Sequence, residues 1–248
     1  VHKKELGQNF LIDGKVVESL VNTANLTGDD IVLEIGAGEG VVTKELIKQA
    51  KYVYAVEFDA DLIPHLNSTI KQFSNSTIIN DDVLKVMADI ETVRNDWKVT
   101  KFVGSIPYQI TSPLIHQIVT YYQLPTTLLM QKEVAERITA KAPNATYLAN
   151  LVAYWGEATL TEVVPKEVFD PVPKVDGAIV TFRPHQKVPS DITKFSKFLH
   201  RGFSSPRKML NKIFDKELLL SCRIDPTRRA ESLTLEDWKK LYATSLSN

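Results

Sequence analysis

The chain has 248 residues, 44% of them hydrophobic and 24% charged, with 10 Gly and 12 Pro, which excludes disorder, collagen-like repetition and a disulfide-stapled miniprotein. Its apolar runs fall short of the roughly 18 residues a membrane span needs. Residues Val1–Glu5 show no apolar signal-peptide core, and the single cysteine, Cys222, cannot close an intrachain disulfide, so a reducing, cytoplasmic setting is expected. The net charge is zero, with 30 Lys+Arg against 30 Asp+Glu, and as one number this argues against a nucleic-acid partner. The average hides a polarity. Residues 185–248 hold 13 basic and 7 acidic side chains, a surplus of +6, and leave −6 for the remainder. Such asymmetry suits a basic module on a more acidic body, with a solvated helical surface as the plainer alternative.

From residue 28 onward, β-rich runs alternate with helical patterns. Strands are expected at Ile31–Ile35, Tyr52–Val56, Ser76–Ile79, Lys101–Gly104 and Thr126–Met130, and helices over 40–50, 58–72 and 110–122. This alternation predicts βαβ units and a mostly parallel, doubly wound α/β sheet. Ala158–Pro165 and Gly177–Arg183 are strand-like without a helix between them, which points to an antiparallel hairpin at the sheet edge. Pro184–Pro189 has linker composition. Beyond it, Ile192–Phe203, Arg207–Phe214 and Leu235–Leu246 carry helical periodicity, and Thr234 with Asp237 forms a capping-box-like start for the last helix. Two domains are therefore expected, 1–184 and a small all-helical 185–248.

The chemistry concentrates at strand ends. Glycines 36, 38 and 40 follow the first strand with G-x-G-x-G spacing, which lets a ligand approach the backbone but departs from the dinucleotide fingerprint. Glu34 and Glu39 suit a cationic or zwitterionic ligand better than a pyrophosphate; a tight strand–helix turn is the structural alternative. Glu57 ends the second strand, where a carboxylate can accept both ribose hydroxyls. After the third strand comes Asp81-Asp82-Val83-Leu84, where an Asp can accept from an adenine amino group while a neighbouring N–H serves the ring. Together these three strand ends suggest S-adenosylmethionine. After the fourth strand, Ser105, Ile106, Pro107 and Tyr108 make a rigid hook. The Ser105 side chain and Ile106 carbonyl can accept from an exocyclic amine, and Tyr108 offers a face for a base.

Five segments follow in order: Leu6–Asp13 (LGQNFLID), Glu34–Gly40 (EIGAGEG), Gly104–Tyr108 (GSIPY), Leu129–Ile138 (LMQKEVAERI) and Phe169–Asp176 (FDPVPKVD). Over essentially the whole chain this pattern resembles the ribosomal RNA adenine N6,N6-dimethyltransferase family. Phe203–Asn211 (FSSPRKMLN) and Arg229–Trp238 (RAESLTLEDW) resemble its KsgA branch, which dimethylates two adjacent adenosines near the 3′ end of small-subunit rRNA. The Erm branch, acting on large-subunit rRNA, is a poorer match there.

The resemblance implies a Rossmann-like methyltransferase sheet with a helical RNA-binding domain. It also implies that Gln8, Asn9 and Leu11 close over the methionine moiety of the cofactor, beside Gly36 and Gly38. Glu57 and Phe58 would serve the ribose side, Asp82 and Val83 the adenine, and Ser105 the junction with the target. Tyr108 would stack on the target adenine, with Phe169 as a second aromatic at that pocket. Lys132, Arg137 and Lys174 become candidates for RNA phosphate contacts, with surface ion pairs as the competing role, and Arg207 and Lys208 join them in the helical domain. The family's hook usually begins with Asn, so Ser105 puts efficiency and completion of the second methyl transfer in question. A monomer that uses neither a metal nor a membrane is expected, acting on the small ribosomal subunit. Three alternatives stand: an Erm-type enzyme, a non-catalytic assembly or transcription factor on the same fold, and an NAD-dependent oxidoreductase, the last disfavoured by glycine spacing and hook.

Overall fold

The computed structural model describes residues 9–106, 108–205 and 207–247, the side chain of Tyr108 excepted. By internal contacts the chain divides into two compact units, residues 1–135 with 159–183, and residues 136–158 with 184–248.

The first unit is built on a seven-stranded sheet. It opens with β1 (Phe10–Leu11) and α1 (Gly14–Thr23), whose N-cap Asp13 accepts from the Lys15 N–H. Then β2 (Ile31–Ile35), α2 (Val41–Gln49), β3 (Tyr52–Glu57), α3 (Ile63–Ile70), β4 (Ser76–Asn80), the short α4 (Val83–Val86) and β5 (Lys101–Ser105) alternate. α5 (Thr111–Gln117) passes into a π-turn before β6 (Thr126–Gln131) and α6 (Lys132–Thr139). α7 (Tyr147–Trp155) precedes β7 (Gly156–Val164), β8 (Phe169–Asp170) and β9 (Gly177–Pro184). The sheet order is β4-β3-β2-β5-β6-β9-β7. Neighbours from β4 to β6 run parallel, and β9 lies antiparallel to β6. The near-continuous apolar runs of β2 and β6 are those of strands buried on both faces. The expected 58–72 helix is shorter because Pro64, in its first turn, fixes where α3 starts.

The second unit holds α7, α8 (Ile192–Phe203), α9 (Lys216–Ser221) and α10 (Leu235–Leu246). Ile192, Phe195 and Leu199 form the buried stripe of α8. Tyr154 of α7 stacks on Phe195 at 3.8 Å and donates to Asp191 Oδ1 at 2.8 Å. Trp238 is fully buried among Phe198, Phe203 and Phe214. The Thr234–Asp237 capping box forms at the start of α10.

Two expectations are revised here. Residues 136–158, placed by the sequence with the sheet, cluster with the helical unit, because α7 packs on α8. Residues 207–214 form only a short 3-10 turn, Leu210–Lys212. Met209 is extended and bridges Arg229, and the Leu210 and Asn211 N–H groups donate to the carbonyls of Arg228 and Pro226. Pairing with that neighbouring segment replaces the helix.

The ends of β2 and β5 touch backbone to backbone. A Cβ on Gly104 would lie inside the van der Waals envelope of the Ile35 carbonyl oxygen and 2.9 Å from the Ile35 Cβ. Gly28, by contrast, has nothing within 4 Å of that position. Gly104→Ala should therefore lower unfolding free energy by about 3 kcal/mol, the upper range for overpacking. Gly28→Ala should stay within about 0.5 kcal/mol. Urea melts of both variants check the contrast, and equal midpoints would contradict it.

Candidate active site

A cavity of about 340 Å³ opens at the carboxyl ends of β2, β3, β4 and β5. This is where open α/β sheets place ligands, at the point where strand order reverses between β3-β2 and β5-β6.

The floor is the glycine loop between β2 and α2. Gly36, Gly38 and Gly40 have φ of 73°, 57° and 87°, a region costly for residues with a Cβ. Crowding adds to that cost at Gly36, where a Cβ would stand 3.1 Å from the Ser105 carbonyl oxygen. The loop amides turn inward. Gly36 and Ala37 N–H both donate to the Val56 carbonyl at 3.0 Å, and Gly38 N–H donates to Glu57 Oε2 at 2.8 Å. Little of the loop's donor capacity is left to cradle a phosphate.

Glu57 is 8% exposed and also accepts from the Asp59 N–H, at 2.7 Å on Oε1. A carboxylate has about four acceptor sites, so acceptor capacity remains beside these bonds. Burial pushes its carboxyl above the usual range, while the Asp59 and Gly38 N–H groups pull it back. Asn80 at the end of β4 donates to the carbonyls of Glu57 and Phe58, which ties two of the cavity's strand ends together. Phe58 stands 60% exposed at the rim. Asp82 caps α4, its Oδ1 accepting from the Leu84 N–H at 2.9 Å, with Val83 buried behind it.

Ser105 ends β5, and the Ile106 N–H donates to the Leu129 carbonyl at 3.0 Å, which holds the hook against β6. Phe169, 5% exposed, closes the opposite wall. Of the expected site residues, Asn9, Leu11, Gly36, Gly38, Glu57, Phe58, Asp82, Val83, Ser105, Ile106 and Phe169 all line this one cavity. Gln8, Pro107 and the Tyr108 side chain lie outside the described residues. Lys132, Arg137, Lys174, Arg207 and Lys208 do not line it. Lys132 is half-buried, the other four are exposed, and among the described residues none of the five sits in an ion pair.

Phe10, Leu129 and Met130, legible in the sequence only as members of longer motif segments, also line the wall, and so does Gln109, which no sequence signal singled out.

The lining is acidic. Glu39, Glu57, Asp81 and Asp82 contribute carboxylates, and no described lining residue is Lys, Arg or His. The cavity fits a cation-bearing nucleoside by its donors and acceptors: inward-turned glycine amides, a carboxylate with spare lone pairs, and adjacent acids. Among the described residues no group of His, Cys, Asp and Glu is arranged to hold a metal, and no helix is long and apolar enough to cross a membrane.

A Rossmann-like sheet with a glycine loop and an acid at the next strand end, with little donor capacity left for a pyrophosphate, is a methyltransferase framework. A profile of the family "Ribosomal RNA adenine dimethylase" matches residues 1–245, and the chain belongs to that family, an enzyme of the methyltransferase class. It is 37% identical to a "Ribosomal RNA small subunit methyltransferase A" of Clostridium botulinum, over 96% of this chain and 92% of the relative. A Staphylococcus aureus protein of the same name is 35% identical, over 97% of this chain and 88% of its own length. Among solved structures, a dimethyladenosine transferase from Plasmodium falciparum superposes with a TM-score of 0.76 at 26% identity, covering 94% of this chain and 95% of that one. The 23S rRNA methyltransferase ErmE superposes with a TM-score of 0.73 at 25% identity, covering 95% and 99%.

Beneath the glycine loop, Glu34 is 1% exposed with Oε2 unpartnered. Burial, reinforced by the Glu57 charge, pushes its carboxyl up to about 8; the Thr43 hydroxyl is near enough to oppose this but makes no hydrogen bond of normal geometry. An acid raised in the folded state holds its proton where the unfolded chain releases it. Stability is therefore complete below the ordinary value of 4.5 and falls as pH rises toward about 8. The loss is at most about 1.4 kcal/mol per pH unit. Glu34→Gln should flatten the decline in melting temperature between pH 6 and 9, checked by calorimetry on both proteins; parallel declines would contradict it.

Proposed function

We propose that this protein dimethylates N6 of two adjacent adenosines near the 3′ end of small-subunit rRNA, with S-adenosylmethionine as methyl donor. The carrying observation is the acidic cavity framed by successive strand ends, which suits a cationic adenosine ligand and repels a dinucleotide pyrophosphate. The small-subunit relatives at 35–37% identity direct the choice of RNA.

In this reading Glu57 accepts the ribose hydroxyls, with Phe58 beside it. Asp82 and Val83 face the adenine, and Gly36 and Gly38, with Gln8, Asn9 and Leu11, flank the methionine part. The cofactor supplies an activated sulfonium methyl group, so neither a covalent nucleophile nor a metal is required of the protein. The Ser105 hydroxyl and the Ile106 carbonyl accept the N6 hydrogens and so aim the nitrogen lone pair at the methyl group. Tyr108 and Phe169 hold the unstacked base. Catalysis then rests on positioning and on oriented acceptors. Ser105 reaches less far than an Asn amide would, so the second transfer is the slower one.

The phosphate backbone falls to the helical unit, which carries 15 Lys+Arg and 9 Asp+Glu, net +6. Arg207 and Lys208 are exposed there. Arg137 in the same unit, and Lys132 and Lys174 in the sheet unit, are further phosphate contacts in this reading. The protein acts as a cytoplasmic monomer.

Incubation with S-adenosylmethionine and undermethylated small subunits, followed by mass spectrometry of the rRNA, should yield N6,N6-dimethyladenosine. Tyr108→Ala should lower the rate by about tenfold or more, the value of one base–aromatic stack. Label entering only large-subunit rRNA would support an Erm-type enzyme, and particle binding without transfer a non-catalytic assembly factor.

Small-subunit binding should weaken with salt. Neutralising Arg207 and Lys208 together should reduce the log–log salt slope by roughly one to two. A slope identical to wild type would remove them from the interface.

A further inference from the structure

β1 and β8 form a ribbon separate from the seven-stranded sheet. Phe10 pairs with Asp170 and Leu11 with Phe169, and the Ile12 N–H extends the ladder by donating to the Val168 carbonyl at 2.9 Å. The two strands reach different parts of one cavity. On β1, Phe10 lies against the glycine loop, where a Cβ on Gly38 would stand 3.3 Å from two of its ring carbons. On β8, Phe169 is buried in the wall completed by Leu129 and Met130. Gly177 faces the Phe169 ring, where a Cβ in its place would come 3.3 Å from the ring.

A two-stranded ribbon is marginal by itself in water. Leu11 and Phe169 anchor one side of this ribbon to the hydrophobic core. Phe10 lies against the glycine loop and lines the cavity. A ligand against Phe10 adds contacts that hold β1 in register, and β1 in register fixes the backbone of β8 through the ladder. The same holds in reverse for a base packed against Phe169.

We propose that this ribbon couples the two halves of the site, so that cofactor and target adenine each bind more tightly when the other is present. Phe10 and the Ile12 N–H are its positioning elements. The coupling rests on the cofactor and base assignments made above, and by linkage it is reciprocal.

The test is calorimetric titration of S-adenosylhomocysteine into the full chain, with and without a saturating RNA oligonucleotide carrying two adjacent adenosines. The oligonucleotide should tighten binding by about fivefold or more in wild type and in Ile12→Ala, which keeps the N–H. Ile12→Pro lacks that donor, and its ratio should fall below about twofold. Hydrogen exchange at the Ile12 amide needs no variant and decides the matter if Ile12→Pro fails to fold: it should slow when S-adenosylhomocysteine alone is added. A wild-type ratio near one, equal ratios in the two variants, or unchanged Ile12 exchange would overturn the coupling while leaving the cofactor assignment intact. Absence of any S-adenosylhomocysteine binding to wild type would instead overturn that assignment, and the coupling with it.

Discussion

The site depends on one steric constraint, the backbone contact between the carboxyl ends of β2 and β5. A Cβ on Gly104 would overlap the Ile35 carbonyl, and one on Gly36 would crowd the carbonyl of Ser105. Glycine at both positions lets the loop and the hook emerge from adjacent strands in close approach. β2 and β5 are also where the strand order reverses, so the loops diverge and open the cavity. The same contact thus sets how near a ligand on the loop lies to a group held by the hook. Methyl transfer needs that proximity, because an in-line displacement gains most from holding the two reacting atoms together.

Electrostatics under the loop follow from the packing. Glu34 and Glu57 sit close enough for the charge of one to raise the proton affinity of the other. Two buried anions there would be costly, and the protein avoids this by keeping Glu34 protonated near neutral pH. Glu57 is held differently, by two backbone N–H donors that favour its charged form. Burial thus pushes both carboxyls up, Glu34 to about 8, and at Glu57 the N–H donors oppose that push. The inward-turned loop amides complete the effect by withholding donors from an anionic ligand.

The parallel sheet was legible because β2, β3 and β6 are apolar runs closed by turn residues, and a strand buried on both faces can hardly look otherwise. Glu57 and Asp82 were legible as acids at strand ends, and the last helix announced itself through Thr234 and Asp237. The ribbon was not. β1 and β8 have two residues each, and their pairing spans most of the chain, so no local pattern encodes it. Helix α7 escaped for the opposite reason: Tyr147–Trp155 is apolar nearly all round and shows no single face. Residues 207–214 have helical spacing, yet bonds to 226–229 outcompete it. Glu34 read as a plain acid in the loop motif; its neutral state comes from burial, which only the fold creates.

A chain-wide charge of zero is the wrong quantity for this molecule. At physiological salt the screening length is about 8 Å, so a bound group responds to the charges beside it and not to the sum. The unit that holds the cavity is net −6 and the helical unit net +6. A polyanion gains little from the cavity's carboxylates, so the proposed function gives the phosphate contacts to exposed cations of the helical unit, with Lys132 and Lys174 as local exceptions. The base itself carries no charge at neutral pH. It can therefore enter an acidic cavity without Coulombic penalty. In the proposed function the −6 unit takes the cationic cofactor and the +6 unit takes phosphate, a division of charge that a uniformly basic protein could not offer.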